Sequence, residues 1–312
     1  MIVFNKIMEY SSLEDICRID NKSYLFFGKA IDDRGEKVIN LLKTKYDNYI
    51  KAEYETKNDS FLIENSIGES KKIQRRNFRS FISELITNNN VESIVLESTT
   101  LGYSEILLLL YDLNELKLLE NIKIFYAEPL EYTSKENEEY ELSEEYSNHK
   151  YIKPFVLSNP HDSIQDDSAT LISLVGFEEN RMGRVLNDSE NKYNQLISIF
   201  PIPGFKFGWE NISLSKHHIF LENREDIYYA PADNPYETYK ILNKITSNLS
   251  GKRIIILPIG TKPHSIGAAV FLVNKKEKQK ESKIATKYDF PIKKIGRSKG
   301  LDKIYEYILN IV

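Results

Sequence analysis

The chain carries a single cysteine, Cys17, in 312 residues. One thiol excludes an intramolecular disulfide, and it excludes a metal site built from several thiolates of one chain. Long apolar runs are missing too. Apolar runs such as Ile106–Leu110 and Ile254–Leu257 fall far short of the ~20 residues that span a bilayer. The N-terminal segment MIVFNKIMEYSSLEDICRID has early acids and no uninterrupted apolar stretch, so it does not read as a secretory signal. These features together predict a cytoplasmic protein without a membrane partner. Neither charge sign dominates: 46 acidic residues face 42 basic ones, for a net charge of −4. That balance excludes bulk coating of nucleic acid by charge, while leaving a local basic cleft open. No G-x-S-x-G, no H-E-x-x-H, no Cys–His pairing and no full Walker A spacing occurs, so the common hydrolase, metalloprotease and P-loop chemistries have no foothold.

What is present is an internal echo. SYLFFGKAIDDRGEKVINLL (23–42) and TLISLVGFEENRMGRVLNDS (170–189) each read as a short apolar strand, a glycine, an acidic loop, an arginine and a helix. Gly28 aligns with Gly176 and Arg34 with Arg181, with one residue of difference between glycine and arginine. Downstream, a predicted helix from Arg75 to Ile86 leads into VESIVLESTTLGYSEILLLLYDL (91–113). A predicted helix from Pro235 to Leu249 leads into KRIIILPIGTKPHSIGAAVFLVN (252–274). Each of these reads as a buried strand, a loop of small and hydroxyl residues, then an apolar helix. A further strand follows in each half, from Ile122 and from Ser282. The repeated strand–helix–strand order predicts an α/β fold of two tandem Rossmann-like units with parallel sheets, related by a pseudo-two-fold. The expected boundaries are 1–132 for the first unit, 133–150 for an acidic, solvated linker, and 151–312 for the second unit with an insertion near 201–232. A phosphate-friendly cleft between the two halves is the expected binding site.

The sharpest segment is Leu257-Pro258-Ile259-Gly260-Thr261-Lys262-Pro263-His264. It ends a predicted strand and opens a helix, the place where open α/β sheets bind ligands. Gly260 would let the backbone approach an anion, the helix start offers N–H groups, Thr261 offers a hydroxyl and Lys262 a point charge. His264 reads either as a general acid or base or as a plain helix-start residue. In the first half Ser98-Thr99-Thr100 stands at the same place, with either N-capping or weaker phosphate contact to offer. Arg34 and Arg181 either clamp phosphate or pair with a neighbouring carboxylate. The loop carboxylates Asp32, Asp33, Glu178 and Glu179 read as solvated rather than metal-bound, so no metal and no cofactor is expected. His217 and His218 read as entering a strand, and His149 and His161 as loop residues.

The run IIILPIGTKPHSIGAA (254–269) resembles the G-T-K signature of CARF domains, Rossmann-like sensors of cyclic oligoadenylates in CRISPR immunity. The duplicated layout is similar to that of the related SAVED domains, which fuse two such units in one chain. The resemblance covers one loop in detail and the duplicated topology over most of the chain. It implies that Gly260, Thr261 and Lys262 touch the ligand's phosphates, and that the chain is a nucleotide-binding sensor or regulatory subunit in antiviral defence. The first half departs from the pattern at Ser98-Thr99-Thr100, and the chain shows no appended nuclease, protease or membrane module. The implied effector is then either a separate protein or hidden within this fold. Two other expectations stand beside the sensor: a metal-independent phosphodiesterase or ring nuclease at the same cleft, with His264 or Lys262 as base, and a ligand-free interaction subunit.

Overall fold

The computed structural model describes residues 1–16, 22–132, 140–145, 147, 149–158, 168–187, 193–221, 226–278 and 283–312. Cys17, His161, most of the acidic stretch and residues 279–282 lie outside the described residues. The fold is mixed α/β, with seven α-helices among the described residues and sheets that contain parallel strands. Among the described residues no helix is long and apolar enough to cross a membrane. The chain divides into two compact units: Met1–Thr133 with Ile295–Val312, and Ser134–Lys294.

The first unit runs β1 (Ile2–Tyr10), β2 (Ser23–Phe27), α1 (Asp33–Lys45), β3 (Asn48–Glu55), β4 (Ser60–Asn65), β5 (Ser70–Gln74), α2 (Arg75–Asn88), β6 (Ser93–Glu97), α3 (Tyr103–Leu116) and β7 (Asn121–Tyr132). The second runs β8 (Ser143–Glu145), β9 (Lys150–Tyr151), β10 (Ala169–Leu174), α4 (Glu179–Leu186), β11 (Tyr193–Pro201), α5 (Trp209–Leu221), β12 (Ile227–Ala230), α6 (Pro235–Asn248), β13 (Ile254–Pro258), α7 (Lys262–Lys278), β14 (Ile284–Tyr288) and β15 (Ile292–Lys293). The chain then returns to the first unit as β16 (Ser298–Ile311).

The sheet of the first unit has the order β1-β16-β7-β6-β2-β3-β4-β5. Only its middle four strands, β7, β6, β2 and β3, are mutually parallel. The sheet is therefore mixed, not parallel as the sequence reading expected. Two features cause this. Residues 48–74 form an antiparallel meander. The β4–β5 turn uses Gly68 at φ 83°, a left-handed conformation glycine adopts without strain. There the Asn65 side chain accepts the Ile67 and Glu69 amides. The second feature is β16, which pairs antiparallel with both β7 and β1. Its run IYEYILNI buries Ile304, Tyr305, Glu306, Tyr307 and Leu309, as a strand inside a sheet does. The C-terminal residues thus belong to the first unit, where the sequence reading had assigned 151–312 to the second.

In the second unit the order is β12-β11-β10-β13-β14-β9, parallel except for the short edge strand β9. Strands β10 and β13 are buried at every position, as expected where helices cover both faces. The central order of strands agrees between units: β3-β2-β6-β7 in one, β11-β10-β13-β14 in the other. Beyond it they differ, because the first unit adds its antiparallel meander where the second adds β12 through α5. In the described part of the acidic stretch Glu141, Glu144, Glu145 and Ser147 are exposed and Ser143 is buried, and the segment is tied to its own unit. β8 pairs with β15, the Leu142 amide donates to the Glu178 carboxylate and its carbonyl accepts the Lys294 amide, both at 3.0 Å, and Ser147 N–H donates to the Asp289 carbonyl at 3.1 Å.

Candidate functional site

Numbered by appearance, the parallel strands of the second unit lie in the order 3-2-1-4-5, reversing between β10 and β13. The connections after these two strands leave in opposite directions, so their carboxyl ends form the topological switch point. Four loops meet at this edge: 175–178, 201–208, 230–234 and 259–262. They are knitted by direct bonds. Ser213 of α5 donates to the Gly176 carbonyl at 2.7 Å. The Ile202 amide donates to Ala230 O and the Ala232 amide to Pro203 O, both at 2.9 Å. Thr261 Oγ1 donates to Ala232 O at 2.8 Å.

Gly176 and Gly260 are required by this convergence. A β-carbon on Gly176 would lie 2.6 Å from the Ile259 carbonyl oxygen, and one on Gly260 would lie 2.7 Å from that of Val175. Gly260 is absent from the positive-φ positions. It permits two backbone segments to touch and needs no left-handed conformation to do so. The same device recurs at Gly28, whose β-carbon would meet the Thr100 carbonyl oxygen at 2.5 Å.

The two strand-to-helix loops differ in what fills them. In the first unit Glu97, the last residue of β6, is completely buried. Its carboxylate accepts the Thr99 amide at 2.8 Å, the Thr100 amide at 3.0 Å and the Thr100 hydroxyl. Thr100 Oγ1 in turn accepts the Gly28 amide, Thr99 Oγ1 accepts the Ala127 amide, and Ser98 Oγ donates to Phe125 O. An internal carboxylate therefore occupies the amides that a bound anion would use, and all three hydroxyls are committed. Ser98, Thr99 and Thr100 thereby hold this loop to Gly28, just after β2, and to β7. In the second unit Pro258 ends the corresponding strand. No side chain of that strand end can bond the loop, and the Gly260 and Thr261 amides make no hydrogen bond among the described residues. Gly260, Thr261 and Lys262 are half-buried, whereas 98–101 are buried throughout. Lys262 is the first residue of α7.

Both arginines resolve toward carboxylate pairing. Arg181 donates bidentately to Asp289, at 2.8 and 2.7 Å, and lies 3.5 Å from Glu178. Burial alone would raise the Asp289 pKa, but Arg181 outweighs it and holds the carboxyl below its ordinary value. Arg34 reaches the Ala127 carbonyl on β7 at 3.0 Å and Asp32 at 3.3 Å. Asp32 also caps α1 through the Gly35 amide at 2.9 Å and accepts the Ser298 hydroxyl. Both guanidinium groups are buried, so each ties a helix start to the last parallel strand of its unit. Asp289 was the partner that sequence reasoning missed, since it follows β14 far along the chain.

His264 is fully buried. Its Nε2 sits 3.2 Å from Ala230 O and 3.1 Å from Pro231 O. Two carbonyl neighbours make Nε2 the donor, so the ring fixes the 230–234 turn to α7. Burial lowers its pKa to about 4, against a smaller opposing effect of those carbonyls. The ring is thus neutral near pH 7. His217 and His218 lie on helix α5 rather than on a strand. The helical spacing of Trp209, Ser213, His217 and Phe220 explains this. His217 is buried and its Nδ1 faces Ser213 O at 2.9 Å.

A hollow of about 380 Å³ lies at the opposite, amino edge of the second sheet, where Lys252, Lys275 and Lys283 gather beside Gly251. The C-terminal ends of α6 and α7 meet there, and cations complement their exposed carbonyls. This explains the lysines without a ligand. No protein-family model, no curated protein and no solved structure matches the chain.

Proposed function

We propose that the chain is a nucleotide-binding sensor or regulatory subunit, built from two Rossmann-like units of the CARF/SAVED kind. Its ligand contains phosphate, as a cyclic oligonucleotide does, and its site lies at the carboxyl edge of the second unit. One observation carries this reading: at the switch point the Gly260 and Thr261 amides are unoccupied beside Lys262, whereas Glu97 fills the equivalent loop of the first unit. Amides at a helix start next to a cation favour an anion. Ligand recognition is accordingly asymmetric, with Gly260, Thr261 and Lys262 as contacts. Ser98, Thr99, Thr100, Arg34, Arg181 and His264 support the scaffold. The buried, neutral His264 weighs against hydrolysis, and a separate effector in antiviral defence remains the partner this reading calls for.

The experiment is thermal unfolding of the chain with mono-, di- and cyclic oligonucleotides, with the ligand recovered afterwards. A binder of the native state raises the melting temperature in proportion to its occupancy. A rise with intact ligand supports the sensor. Ligand recovered in cleaved form supports the nuclease reading instead, and no rise with any nucleotide removes both.

A further inference from the structure

The carboxyl edge of the second unit carries aromatic rings as well as the open amides. Phe177 follows Gly176, whose backbone packs against Gly260. Trp209 begins α5 and meets Phe177 edge-to-face, with centroids 5.8 Å apart and planes at 83°. Tyr140 supports Phe177 from another side at 4.9 Å. Phe177 and Trp209 are half-buried. Phe207 is wholly exposed, two residues before Trp209.

Phe207 is not the tip of a loose loop. Its segment is fastened at Ile202, Pro203 and Lys206 by backbone hydrogen bonds to Ala230, Ala232 and Trp209. The same turn is bonded to Thr261. Phe207 is not alone on this edge, because the half-buried Phe177 and Trp209 lie in the neighbouring loop and helix start. Lys206 beside Phe207 adds a cation to the same segment. A planar ring linked to phosphate matches this juxtaposition of aromatic faces, amides and lysines, because bases stack on aromatic side chains while their phosphates seek amides and cations.

We propose that Phe177, Trp209 and Phe207 form a stacking platform for a nucleobase of the ligand whose phosphate lies at Gly260–Lys262. This rests on the phosphate-site reading above and adds that the base, not the phosphate alone, provides recognition. Phe207 supplies the outer face and the Phe177–Trp209 pair the inner wall.

The chain has one tryptophan, Trp209, so its emission reports directly on the platform. The test titrates adenosine, guanosine, cytidine and uridine monophosphates and cyclic oligoadenylates against ribose 5-phosphate and inorganic pyrophosphate. Calorimetry and tryptophan fluorescence follow binding in the wild type, Phe207→Ala and Phe207→Tyr. Expected are nucleotide binding tighter than that of the base-free phosphates, a change of Trp209 emission with nucleotides only, a loss of about 5- to 150-fold in Phe207→Ala, and recovery in Phe207→Tyr. If base-free phosphates bind as tightly as nucleotides, or Phe207→Ala binds nucleotides like the wild type, the platform is overturned while the phosphate site stands. If neither class binds, the phosphate site fails and the platform falls with it.

Discussion

Replacing Glu97 with alanine tests why the first unit's loop is closed. The carboxylate accepts the Thr99 amide at 2.8 Å, the Thr100 amide at 3.0 Å and the Thr100 hydroxyl, and Glu97 has no exposed surface. Truncation leaves two buried backbone donors without an acceptor, while the hydroxyl can rotate toward another. A buried donor left unsatisfied costs about 1–3 kcal/mol, so the two amides together give roughly 2–6 kcal/mol. Relief of the buried charge reduces this somewhat, and the small void adds to it. Glu97→Gln should fall between wild type and alanine. Its carbonyl oxygen still accepts one amide, but its NH2 group faces a donor. Urea unfolding measures both variants, with the m-value checked to confirm that only stability has changed. Acetate should partly restore Glu97→Ala, since a small carboxylate fits the vacated place. A Glu97→Ala midpoint within about 0.5 kcal/mol of wild type would refute the idea that this carboxylate holds the loop.

Three further outcomes follow from the packing and the buried charges. Gly28→Ala should destabilise the fold by about 1–3 kcal/mol, because its β-carbon would sit 2.5 Å from the Thr100 carbonyl oxygen; chemical denaturation showing no loss would mean that the two loops do not touch. Asp289→Ala should cost about 3–5 kcal/mol by stranding the buried Arg181, and the wild-type contribution of Asp289, whose pKa is depressed, should persist above its ordinary value of 3.8 and vanish as pH falls through the folded one. A thermal melt of the variant matching wild type at pH 7 would contradict the pairing. His217 and His264 are both lowered to about 4 by burial, so the unfolded chain takes up protons first. Stability should hold above pH 6.5 and fall by roughly 3 kcal/mol per histidine toward pH 4, and unfolding curves that stay flat between pH 6.5 and 5 would sink this.

The alternation of apolar strands with helices made the α/β class legible, and the glycine–arginine spacing located two equivalent loops. Within its own unit, Gly28 lies against the Thr100 backbone and Gly176 against that of Ile259, while Arg34 bonds Ala127 and Arg181 bonds Asp289. What stayed hidden was pairing over long sequence separation. Nothing local to Arg181 announces Asp289, and nothing in Ser98-Thr99-Thr100 announces that the preceding glutamate turns inward to fill the loop. The antiparallel β4–β5 meander and β16 were overlooked for another reason. Their signals were present, as turn residues around Gly68 and as the run IYEYILNI, but the repeat pattern drew attention to parallel strands. His264 shows the limit of position alone, since a histidine beside a candidate loop points into the protein and bonds Ala230 and Pro231.

The most direct test of ligand binding at the Gly260–Lys262 loop is calorimetric titration of wild type and Lys262→Ala with the tightest nucleotide found by thermal screening. Loss of a charge-assisted hydrogen bond of about 1.5–3 kcal/mol predicts roughly ten- to 150-fold weaker binding. The ligand-free melting curve should shift by less than about 1 kcal/mol equivalent, since a half-buried lysine contributes little to folding. Equal affinity in the two proteins, or no nucleotide bound by the wild type at all, would contradict the phosphate site.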